Sequence, residues 1–174
     1  MAITEDDYCQ QCQQWYQQYG WRLRHRALYR YNLAMKDYMH SYKFMGDYRL
    51  RVAFQQEMVD KIHEINPTVI VPIPVNEQTW QTRGFNQVEG LLEGLSTQPL
   101  LTTRFQVKQA QSSKSREERL KTIQPFNLTR VPENLQERIL LVDDIYTTGR
   151  TLYHAATLFH QAGLHNVESL SLAR

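Results

Sequence analysis

Hydrophobic and polar positions change their period along the chain, and the changes mark out its elements. Residues 8 to 19 lack Gly and Pro, which predicts a helix with Gly20 as its stop signal. Leu50, Ala53, Phe54, Met58, Ile62 and Ile65 fall at near-helical spacing, predicting a helix over 48–65 with one face against the core. From residue 68 strands and helices alternate. TVIVPIPV is a β-branched apolar run that ends at prolines, Gln87 to Leu95 reads as a helix, and RILLV is a second buried strand. Thr151 to Ala162 reads as a helix closing at Gly163, and NVESLSL alternates like a strand. Strands alternating with helices predict an α/β fold with a parallel sheet under flanking helices. Ligands in such sheets sit beyond the carboxyl ends of the strands.

Composition adjusts this picture at the N-terminus. Eight of the ten tyrosines lie at or before Tyr48, and six glutamines crowd between Gln10 and Gln18. Between Arg22 and Arg51 eight basic residues face only Asp37 and Asp47. This predicts a small helical appendage over residues 1–47 and a main domain over 48–174. Over the whole 174 residues, 20 basic and 18 acidic side chains leave a formal charge of +2, too little to attract nucleic acid in bulk. A chain that is 41% hydrophobic has material for a core. No apolar run approaches the roughly 20 residues of a bilayer span, so no membrane insertion is expected. The acidic, polar start MAITEDDYCQQ does not resemble a secretory signal, and a cytoplasmic location is the expectation.

The chemistry concentrates in ILLVDDIYTTGRTL, residues 139–152. An apolar strand runs into Asp143 and Asp144, then into Thr147, Thr148, Gly149, Arg150 and Thr151 at the start of a helix. Free backbone N–H groups and the positive end of the helix dipole make such a start a cradle for one phosphate. Gly149 permits a positive φ, and the threonine hydroxyls add donors. Two carboxylates would repel that phosphate unless they served ribose hydroxyls, with Mg²⁺ bridging sugar and pyrophosphate oxygens. The same residues also fit an ordinary strand–helix turn in which a threonine caps the helix. Neither GxxxxGK[ST] nor GxGxxG is present, which removes the P-loop and dinucleotide classes.

VDDIYTTGRT resembles the phosphoribosyl pyrophosphate (PRPP) signature of type I phosphoribosyltransferases. YKFMGDYRL, PIPVNEQTWQTRGFNQVEGL and the closing strand through SLAR resemble the ComF family of competence proteins, over roughly residues 27 to 174. The resemblance implies a type I phosphoribosyltransferase-like sheet, PRPP with Mg²⁺ as ligand, and a role in DNA uptake and natural transformation. It implies that Asp143 and Asp144 orient the sugar and face the Mg²⁺. Ile73, Pro74 and Val75, after the first core strand, would then take the pyrophosphate in a loop that in the superfamily often holds a cis peptide; alternatively the prolines simply end the strand. Arg83 can fork onto pyrophosphate, or stand on the surface before a helix capped by Asn86. QAQSSKSREER matches either a solvated basic loop or the lid over PRPP, in which Lys114 and the candidate catalytic Arg116, with Arg119, would neutralise the leaving group.

Cys9 and Cys12 form a single CxxC pair where relatives of this family often carry a four-cysteine zinc module. Two thiolates do not complete a tetrahedral site. Either an upstream segment supplies the rest, a histidine such as His25 joins, or the zinc is lost.

Three functions are compatible with these residues. The first is a ComF-like phosphoribosyltransferase-type protein. The second is a non-catalytic adaptor for single-stranded DNA or for ComF helicase and recombination partners, suggested by Arg22, Arg24, Arg26, Arg30 and Lys36 interleaved with Tyr29, Tyr31 and Tyr38. The third is nucleobase salvage, against which the RGFNQ segment speaks. The acceptor, turnover and the oligomeric state are not legible.

Overall fold

The computed structural model describes residues 10–104 and 124–174. Its centre is a parallel sheet of four strands in the order β1-β6-β5-β2: β1 is Arg24–Tyr29, β2 Val69–Pro72, β5 Ile139–Ile145 and β6 Val167–Ala173. Leu101–Thr103 (β3) and Phe126–Leu128 (β4) pair antiparallel as a separate ribbon. Helices cover both faces, so the fold is the α/β class with a type I phosphoribosyltransferase-like sheet.

The two faces have separate cores. Alternation along β5 sends Ile139 and Leu141 to one side, where they meet Leu152, Tyr153, Ala156 and Phe159 of α6 (Arg150–Gln161). Leu140 and Val142 go to the other side. There they meet Met35, Met39 and Tyr42 of α2 (Leu33–Lys43), Met58 and Ile62 of α3 (Val52–Ile65), and Val88 and Leu91 of α5 (Gln87–Leu91). Burial on both faces explains why RILLV is a continuous apolar run and not an alternating one.

The N-terminal segment enters this architecture directly. Gly20, at φ 74°, ends α1 (Gln10–Tyr19) and returns its N–H to the Tyr16 carbonyl at 2.8 Å. The chain then adds β1 as the edge strand beside β6, with His25 opposite Ser169 and Ala27 opposite Ser171. Those serines are the polar positions of the NVESLSL alternation, yet both are fully buried. His25 accounts for them: Nδ1 lies 3.0 Å from the Ser169 hydroxyl and Nε2 3.2 Å from that of Ser171. Burial and the nearby Arg174 charge hold its pKa down at about 3, so the ring is neutral.

Several element bounds differ from the sequence expectation for local reasons. Residues 48–51 form a 3₁₀ turn before α3, because the Asp47 carboxylate caps the Arg49 N–H at 3.3 Å. The helix begun at Gln87 closes at Leu91. Between β2 and α5 lies α4 (Glu77–Arg83), begun by the Asn76 side chain on the Thr79 N–H at 2.7 Å and ended by Gly84 at φ 80°. Among the described residues all peptide bonds are trans, including those at Pro72 and Pro74.

Candidate functional site

Beyond the carboxyl end of β2 the central ladder opens. Ile73 N–H still donates to the Val142 carbonyl at 2.9 Å. The next rung of a parallel pair would run from the Asp144 N–H to the Ile73 carbonyl. Both groups are taken elsewhere: Asp144 N–H donates to its neighbour's Asp143 Oδ1 at 2.9 Å, and the Ile73 carbonyl accepts the Asn86 side-chain amide at 3.0 Å. Asn86 also caps α5 by accepting the Val88 N–H at 2.9 Å. The capping reading of Asn86 therefore holds, and the same side chain props the crevice between β2 and β5.

Asp143 and Asp144 stand inside β5 as the two residues directly after the apolar run, and both are buried. As strand neighbours they project to opposite faces. Asp143 is held well above the usual carboxylate range, first by burial and then by the charge of Asp144. Asp144 Oδ1 accepts the Ile145 N–H at 2.8 Å, and its Oδ2 pairs with the Lys43 ammonium at the end of α2. One of the two carboxylates, Asp144, is thus paired with a cation supplied from within the chain.

The residues expected to cradle a phosphate follow in the chain. Gly149, at φ 76°, caps α6 without a side-chain hydrogen bond, and Thr147, Thr148, Arg150 and Thr151 are exposed. The Thr148 hydroxyl reaches the Arg150 N–H only at 3.4 Å, so a threonine contributes a long cap and leaves the helix start available to an anion. Tyr146 underlies the loop. A Cβ placed on Gly149 would run into its phenol, and its ring stacks on His25 with centroids 4.1 Å apart. Trp15 of α1 donates its indole N–H to the Thr148 carbonyl at 2.7 Å and stacks on Tyr153 of α6 at 5.0 Å.

Arg83 is partly buried and lies close enough to Asp144 to feel its charge. Its Nε donates to the Lys43 carbonyl at 2.9 Å and its Nη1 bonds the Gln87 side chain. It therefore ties α4 to α2 and α5. Ile73 turns its side chain into the core, and Pro74 and Val75 are half-buried behind it. Lys114, Arg116 and Arg119 lie outside the described residues, as does Cys9. Cys12 sits partly buried on α1. His25 is committed to the two serines. Among the described residues no three His, Cys, Asp or Glu side chains are grouped to hold a metal.

Lys43, Tyr146, Trp15 and His25 complete the site without having been assigned to it from sequence. Lys43 and Tyr146 do lie within the quoted segments YKFMGDYRL and VDDIYTTGRT, and only the fold shows what they touch. The tyrosines at the other end of the basic segment are largely spent on packing: Tyr38 meets Phe54 edge-on at 4.7 Å and bonds the Leu50 carbonyl at 3.1 Å. Arg24 and Arg26 both pair with Glu168.

No family model matches the chain. It is similar to Competence protein ComFC of Streptococcus pneumoniae, 40% identical over 166 residues, which covers 95% of this chain and 74% of the relative. It is also similar to Competence protein ComFC of Bacillus subtilis, 33% identical over 178 residues, covering 95% of this chain and 72% of that one. With likeness at that level over nearly its whole length, the chain belongs to the ComFC family of competence proteins.

Proposed function

We propose that the crevice between β2 and β5 binds PRPP, or a related ribose 5-phosphate, with Mg²⁺, and that this chain acts in competence, in the uptake of transforming DNA. The observation that carries the reading is the order of parts along β5 and α6. A buried acidic doublet stands where the ladder opens, directly ahead of a glycine-capped helix start.

The roles follow from the chemistry of each group. The amides and hydroxyls of residues 147–151 receive the 5′-phosphate. Asp144 accepts from ribose hydroxyls, and Asp143 stands beside it in the strand. Ile73, Pro74 and Val75 line the pyrophosphate side, with Arg83 as the nearby cation. The doublet offers hard oxygen donors that suit Mg²⁺, and six-fold coordination needs further oxygens from ligand and water. When bound, the ion neutralises charge on the diphosphate. Lys114 and Arg116 are proposed to meet the leaving group.

Calorimetric titration with PRPP and Mg²⁺ tests the reading. Wild type should bind, and the Asp143→Ala plus Asp144→Ala protein should lose the signal. Equal affinity in both rejects the site. Salvage predicts turnover of a free base with PRPP, and a panel of bases giving no product removes it. For the adaptor reading, Arg30, Tyr31 and Lys36 are exposed and are the residues left for contact with single-stranded DNA. Oligonucleotide binding that weakens steeply with salt and with Arg30→Glu plus Lys36→Glu would favour it.

A further inference from the structure

An acidic doublet at a phosphate site would ordinarily collect divalent cations, but here one of its carboxylates, Asp144, is already paired with a cation from within the chain. Lys43 is the last residue of α2, and its ammonium sits on Asp144 with the two side chains only 16% and 6% exposed. Backbone contacts hold it there. The Lys43 carbonyl is clamped by Arg83 Nε at 2.9 Å, and the following Phe44 closes the helix through its N–H to the His40 carbonyl at 2.9 Å. The lysine is therefore delivered by two helices. A dication approaching Asp144 must displace a positioned ammonium from a site of reduced dielectric, where like charges repel strongly.

We propose that Lys43 is the resident counter-cation of the crevice, keeping free divalent ions off Asp144 so that the metal enters only on the ligand's own diphosphate. On entry the ribose hydroxyls take Asp144 and the ammonium turns to the ligand's anionic oxygens. This deepens the sugar-phosphate reading above and rests on it for that second step. The exclusion of free metal stands on the ion pair alone.

The test is a titration of Mn²⁺ without any organic ligand, with free ion followed by electron paramagnetic resonance. Wild type and Lys43→Arg should bind weakly and alike. Lys43→Gln should bind about tenfold more tightly, and adding Asp144→Asn should abolish the gain. Equal Mn²⁺ affinity in wild type and Lys43→Gln overturns the proposal, as does wild-type binding that Asp144→Asn weakens. Should Lys43→Gln fail to fold, the wild-type protein gives the answer through the side-chain ¹⁵N resonance of Lys43. Millimolar Mg²⁺ alone should leave it in place, and a shift contradicts the proposal. Ribose 5-phosphate added to the same sample reports separately: tightened Mn²⁺ binding in Lys43→Gln with no sugar-phosphate binding in wild type means that ion exclusion stands and the sugar-phosphate reading fails.

Discussion

The indole N–H of Trp15 donates to the Thr148 carbonyl at 2.7 Å, fastening the first helix to the loop that starts α6. The bond fixes the peptide between Thr148 and Gly149, whose orientation decides where the following N–H groups point. Trp15→Phe keeps an aromatic ring for the stack on Tyr153 and removes the donor. We expect it to weaken ribose 5-phosphate binding about three- to tenfold, the equivalent of one neutral hydrogen bond, with little change in circular dichroism. Calorimetry on both proteins checks this, and unchanged affinity would make Trp15 a packing residue only.

Gly149→Ala should be among the most damaging single-atom additions to this fold. Position 149 has φ 76°, and a new Cβ would collide with the Tyr146 phenol. That ring cannot swing away freely because His25 is stacked on it at 4.1 Å. Strain and overlap together should cost roughly 2 kcal/mol or more, visible as a lower midpoint in urea.

His25 makes stability depend on pH in a definite direction. Its folded pKa of about 3 lies below the ordinary 6.5, so the unfolded chain binds the extra proton. The contribution of this residue is complete above about pH 6.5 and declines as pH falls toward 3, by at most about 1.4 kcal/mol per unit. His25→Gln, which can still bond both serines, should flatten the wild-type loss between pH 6 and 4 in denaturant titrations. Parallel curves for the two proteins would assign the acid sensitivity elsewhere.

Asn86 performs two jobs that substitution can separate. Asn86→Asp retains the acceptor for the Val88 N–H and loses the amide on the Ile73 carbonyl, while Asn86→Ala loses both. Alanine should destabilise by about 1–3 kcal/mol. Aspartate should restore part of that if the cap dominates, as thermal unfolding will show. Ligand affinity should fall in both, because both release the β2 end of the crevice.

The parts of the site that could be read from sequence are those contiguous in it. Asp143 through Thr151 declare themselves because an apolar strand, two acids and a small-residue loop follow one another directly. Arg83 is open to two readings in sequence, and the partners of Arg83 and Asn86, Lys43 and Ile73, lie far from them along the chain. β1 went unread because RHRALY is an edge strand whose arginines face Glu168 across the ladder; its charges look like surface until β6 is placed beside it. The alternation of NVESLSL shows a strand but not that Ser169 and Ser171 are buried against His25. Lys43 shows the general limit: an ion pair joins the end of α2 to the carboxyl end of β5, and no local pattern announces it.

The most direct test of the account is a crystal structure of the protein grown with PRPP and Mg²⁺. The 5′-phosphate should rest on the amides of residues 147–151, the ribose beside Asp144 and the diphosphate along Ile73 to Val75. Density for the ligand anywhere else, or a crevice filled by protein side chains at saturating PRPP, would contradict it.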